Sequence, residues 1–230
     1  MKKVKLLLAA LFLVYMTTSV VAQKANLKDG FIVNYTLTLS GDGGEMAGME
    51  MFMPKQMIMT VKGTKSKIEL PIENIGNTTV LADNKNGSGV MLLNMMGQKM
   101  QMSLTSDQMK KMSAEGEEMA KKLKVKLSGN TKEIAGYKCE EAIITGGEMT
   151  EQLSIYFTKD IPFVKSSYNA SYAGLIEGCL MEFSSSVNQI SMTMTASSVT
   201  STKVGDDAFS IPAGYTEMSS EQMQQMLGGQ

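Results

Sequence analysis

Sulfur carries most of the reactive potential in this chain: two cysteines, Cys139 and Cys179, and 23 methionines in 230 residues. In an oxidising compartment the two cysteines could pair, and closing a ~40-residue loop would contribute roughly 4 kcal/mol in the chain-entropy model. A strand expected between them in sequence would hold them apart in a simple meander, so a Cys139–Cys179 disulfide and two buried free thiols both stay open. The methionines alternate along strand-like runs: Met49, Met51 and Met53, then Met57 and Met59, Met100 and Met102, Met192 and Met194. Met is unbranched and polarizable, so it suits core filling or a surface that adapts to variable apolar partners. Thioethers also suit Cu(I) or Ag(I). Three readings follow: core filler, an apolar cavity for a lipid or acyl chain, and a Met-based soft-metal site. The residues expected to line an apolar cavity are Phe31, Val33, Tyr35, Met51, Met53, Met57, Met59, Met100 and Met102.

Other chemistry is poorly provided for. The chain contains no histidine, which removes Ser-His-Asp and Cys-His arrangements and imidazole metal ligands. Every basic side chain is lysine, so bidentate guanidinium recognition of phosphate or carboxylate is unavailable. Glu140-Glu141 and Asp206-Asp207 point to opposite faces if extended and make poor acid–base pairs. Gly41-to-Gly44 and Gly146-Gly147 do not open a helix after a buried parallel strand and read as turns, not phosphate loops. The expectation is a non-enzymatic protein without a cofactor.

The N-terminus gives an address. Met1-Lys2-Lys3-Val4-Lys5 is basic, Leu6–Val14 is apolar, and Val20-Val21-Ala22 forms a small-residue cleavage site, the pattern of a signal peptide. Residues 1–22 are therefore expected to be removed, with no lipidation cysteine at the site and a periplasmic or secreted destination. The 208 residues left suit one domain, 23–230. The leader takes three of the 22 basic residues, leaving 19 against 23 acidic ones, a net charge of −4. That mild acidity argues against nucleic acid or an anionic membrane as partner. No later apolar run approaches the roughly 20 residues of a spanning helix.

The elements that would position these side chains are mostly strands. Phe31–Ser40 alternates, with Phe31, Val33, Tyr35, Leu37 and Leu39 on one face. Strands are expected at 49–53, 56–62, 65–70, 78–83, 90–96, 99–104, 123–128, 137–145, 151–158, 178–185 and 190–200, separated by Gly, Pro and Asn clusters. One helix interrupts them. Thr105-Ser106-Asp107-Gln108 is a capping box, followed by an apolar stripe at Met109, Met112, Gly116, Met119 and Leu123. A short closing segment at 206–215 and a terminal helix at 219–227 complete the chain. The fold class is α+β, mainly antiparallel sheet with one principal helix against it.

The stretches Ile134-Ala135-Gly136-Tyr137-Lys138-Cys139-Glu140, Ile155-Tyr156-Phe157-Thr158-Lys159-Asp160-Ile161-Pro162 and Ile211-Pro212-Ala213-Gly214-Tyr215 occur in an order that resembles the domain of unknown function family 4412. The Met-rich run from Val90 to Met112 is similar to that family too, and the likeness spans most of 31–226. The family in turn resembles the periplasmic lipoprotein carriers (LolA/LolB-like). The resemblance implies a sheet curled as a half-barrel around the helix, and no particular activity. The leading expectation is a lipid or apolar ligand held in the concave sheet. A Met-based Cu(I)/Ag(I)-binding envelope protein, or a structural or partner-binding module, is the alternative.

Overall fold

Alternation of apolar and polar side chains makes the first strand, and the same rule builds the rest. A computed structural model describes residues 26, 28–40, 53–147, 152–164, 169, 172, 174–187, 190–219 and 222. Among them run β1 (Phe31–Ser40), β2 (Gln56–Lys62), β3 (Lys65–Ile72), β4 (Gly76–Asp83), β5 (Ser88–Met95) and β6 (Gln98–Leu104). The helix α1 (Ser106–Lys122) follows, then β7 (Leu123–Ile134), β8 (Tyr137–Gly146), β9 (Leu153–Thr158), β10 (Cys179–Val187) and β11 (Ile190–Ser201). A 3-10 turn at Asp206–Phe209 and β12 (Thr216–Glu217) end the series. All twelve strands form one sheet, in the order β12-β6-β5-β4-β3-β2-β1-β11-β10-β9-β8-β7. Two antiparallel meanders, β1–β6 and β7–β11, are thus joined side by side where β11 pairs with β1. Only β12 is parallel to its neighbour, β6.

The sheet curls without closing into a barrel. Four strand steps separate β11 from β7, about 19 Å on a flat sheet. Cα atoms of these two strands nevertheless come within 8 Å, so this half is strongly bent.

The helix begins as its sequence dictates. Thr105 Oγ1 accepts from the Gln108 amide at 3.2 Å, and Gln108 Oε1 accepts from the Thr105 amide at 2.8 Å. It then spans from β6 to β7, which lie toward opposite ends of the sheet, and its main contacts are with β5 and β7. Its apolar stripe is narrower than the spacing predicts. Gly116 and Ala120 are buried and Met109 is half-buried, but Met119 is 60% exposed; the Met112 side chain lies outside the described residues. The helix therefore buries only a narrow strip against the sheet. Ile161, Val164 and Ile176, from the connection between β9 and β10, are buried in the core instead.

Register arranges the first meander in three rows on one face. Phe31, Val61, Ser66, Ala82, Gly89 and Leu104 pair in succession from β1 to β6. Val33, Met59, Ile68, Val80, Met91 and Met102 form the next row. Tyr35 pairs with Met57, and Leu70, Thr78, Leu93 and Met100 continue the third. The opposite face buries Leu81, Leu92 and Thr79. The C-terminal segment crosses it, with Phe209 and Ile211 beside Leu81 and Val90, before Thr216–Glu217 caps the β6 edge. At Ser219 the predicted helix start is present as a second reciprocal cap with Gln222; the remainder of 219–227, apart from Gln222, lies outside the described residues.

Candidate functional site

The three rows bring most of the predicted lining residues onto one face and divide them by burial. At the β1–β2 end Phe31, Val33, Tyr35, Met57 and Met59 are all buried. They pack with Met181, Phe183 and Met194 from the second meander. The Tyr35 and Phe183 rings meet edge to face, centroids 6.1 Å apart. Phe163 and Val164 close over Tyr35, Met57 and Met59, and the remaining cavity is about 20 Å³, room for a single water. An acyl chain has no space there as the side chains stand. At the β6 end Met100 and Met102 are half-buried, as are Leu70, Val80 and Met91. Met53 is half-buried just before β2, and Met51 lies outside the described residues.

Methionine thus has two environments on one face. Met57, Met59, Met181 and Met194 are core, each below one-tenth exposed, and do the work of apolar filler. Met91, Met100 and Met102 are half-buried around the buried Leu93, and Met109 is half-buried on the helix above Gly89. The sequence separates these groups poorly, because the alternation of apolar residues is the same in both. What differs is whether the β9–β10 connection covers them, a tertiary fact.

Cys139 and Cys179 are buried free thiols. Cys179 pairs with Thr158 of β9, while Glu140 pairs with Phe157. Continuing that register sets Cys139 against Thr158 from the other side. The two cysteines are then two strand steps apart, roughly 10 Å between Cα atoms, beyond the reach of a disulfide without backbone movement. Burial pushes both thiols up to about 11. Tyr35, whose hydroxyl donates to the Leu180 carbonyl at 2.9 Å, is raised well above the ordinary phenol range, chiefly by burial.

A polar network on the second meander escapes any reading from spacing, because its members are scattered in sequence. Ser128 and Asn130 donate to Glu141 Oε2 at 2.7 and 2.8 Å, and Ser154 donates to Oε1 at 2.5 Å. These donors, with Ser154 foremost, hold the Glu141 carboxyl down at about 2. A carboxylate so fully satisfied is a poor proton acceptor at neutral pH. Nearby, Lys132 Nζ lies 2.6 Å from Glu182 and 4.1 Å from the centre of the Tyr156 ring. The cleft beside Glu141, about 340 Å³, is bordered by Asn130, Thr131, Lys138, Glu140, Lys159 and Asp160. Its charges are neutralised in part by the Lys159–Glu140 pair at 3.4 Å. Among the described residues no group of three or more His, Cys, Asp or Glu could hold a metal ion. Nor is any described helix long and apolar enough to cross a membrane.

The family model described as a domain of unknown function, DUF4412, matches residues 24–171. No curated protein matches the chain. Among solved structures the chain is similar to PNGF-II in two crystal forms. In the C2 form it is 14% identical over 86% of this chain and 32% of that one, with a TM-score of 0.47. In the P21 form it is 15% identical over 87% and 33%, with a TM-score of 0.48. The chain spans about a third of that protein's length.

Proposed function

From a chain that belongs to the DUF4412 family, we propose a non-catalytic, exported binding protein that holds a lipid or acyl chain against the half-buried end of its concave face. One observation carries this reading. The row Val33, Met59, Ile68, Val80, Met91 and Met102 is apolar across all six strands, yet the β9–β10 connection lies against its β1–β3 end. Leu70, Val80, Met91, Met100 and Met102 continue the same face at half burial. Flexible thioether side chains suit a ligand of variable shape, and an apolar site of this kind needs few polar groups. The saturated Glu141 and the absence of histidine favour binding over catalysis. Export rests on the basic and apolar leader of residues 1–22.

The test is native mass spectrometry of the protein recovered from the cells that export it. An apolar adduct is expected, removable by organic extraction, on a chain that begins at Gln23. Leu93→Lys, which puts a charge within the third row, should abolish the adduct. A chain that is always free of adduct, and that binds an acyl-chain fluorophore no better than Leu93→Lys, would remove this reading.

A further inference from the structure

We propose that Met91, Met102 and Met109 form a thioether site for a soft monovalent cation, Cu(I) or Ag(I). Met91 and Met102 are direct cross-strand partners on β5 and β6, which sets their Cβ atoms about 5 Å apart. The next pair on the same face is Gly89 with Leu104, about 7 Å along the strands. Above Gly89 sits the helix, with Met109 Sδ only 3.1 Å from where a Cβ would be. The missing side chain leaves a notch that seats this sulfur against the sheet, within one flexible side-chain length of the Met91–Met102 pair.

Three thioethers from three elements are therefore neighbours on one face of the sheet, all half-buried. Such a spot is reached from solvent yet partly dry. Thioethers select Cu(I) and related soft ions over Mg²⁺, Ca²⁺ or Zn²⁺. With no histidine in the chain, the stronger competing soft donors are the two cysteine thiols, and both are buried in the core. The inference goes beyond apolar ligand binding and does not depend on it.

Leucine in place of methionine keeps volume and apolarity while deleting sulfur. The whole chain is titrated without oxygen with Cu(I) against a chromophoric Cu(I) chelator, and with Ag(I) in parallel. The wild type is expected to take one equivalent with a sulfur-only first shell by X-ray absorption. Met91→Leu/Met102→Leu/Met109→Leu should bind the ion at least about tenfold more weakly. Met109→Leu alone, on the helix surface and remote from the filled core, should weaken binding with an unchanged circular dichroism spectrum. Cys139→Ser/Cys179→Ser should bind as the wild type does. Equal affinity in the triple leucine variant and the wild type overturns the site. So does loss of the metal in the cysteine variant.

Discussion

Tyr35 reaches from β1 over β11 to β10, where its hydroxyl lies 3.6 Å from Cys179 Sγ and donates to the neighbouring Leu180 carbonyl. The contact ties the two meanders together in the most buried part of the core. Removing a buried hydroxyl leaves its acceptor without that partner and costs about 1–2 kcal/mol. Tyr35→Phe should therefore lower the unfolding free energy by that amount, read as a lower urea midpoint with the m-value unchanged. A midpoint equal to the wild type's would show that the hydroxyl contributes nothing net.

The same corner fixes the behaviour of the thiols. Both cysteines are buried, with β9 between their strands, and both titrate near 11. At pH 8 only about one thiol in a thousand would be ionised. Iodoacetamide should therefore label the native chain slowly and the urea-unfolded chain fast. The non-reduced intact mass should correspond to two thiols. A mass about two daltons lower would mean that the strands had moved enough to bridge.

Strand positions were largely legible because alternation and turn residues are local signals. Phe31–Ser40 and Gln56–Lys62 coincide with their expected spans, and the capping box places Thr105 correctly. The misses concern strand lengths. The predicted break at 71–77 is a tight hairpin, in which Pro71 and Ile72 stay in β3 and pair with Asn77 and Gly76. β7 runs on past Ser128 to Ile134 through an irregularity that lets Ser128 and Asn130 reach Glu141. The candidate site was half legible. Period-two spacing put Val33, Met59 and Met102 on one face, but it carries nothing about which end the β9–β10 connection would cover.

That connection enters β10 through a glycine with no substitute. Gly178 has φ +140°, and a Cβ there would stand 2.1 Å from the Thr158 carbonyl oxygen and 2.7 Å from its carbon. Both atoms are backbone of β9, so relief requires moving a strand. Gly178→Ala should cost on the order of 3 kcal/mol. Gly63→Ala is a useful control: its φ is +58° but nothing lies within 4 Å of the added Cβ, so strain without collision should cost about 1 kcal/mol. Equal losses at the two positions would show that conformation, not collision, sets the cost.

Glu141 should give the second meander a pH dependence of definite sign. Its carboxyl is held at about 2 by Ser154, Ser128 and Asn130, below the value near 4.3 expected in the unfolded chain. The unfolded state therefore binds this proton first on acidification. The stabilisation is present in full above about pH 5 and is lost as pH falls through 4 toward 2. Asp83 and Asp206 are lowered as well, so the wild-type curve sums several groups and cannot by itself be assigned. Comparison with Glu141→Gln isolates the one of interest, because the amide keeps an acceptor for Ser154 but has no charge to lose. Urea midpoints measured from pH 2 to 6 should fall less steeply for Glu141→Gln than for the wild type below pH 4. The gap between the two should be constant above pH 5. Parallel curves across the whole range would mean that the three donors hold Glu141 no better than water does.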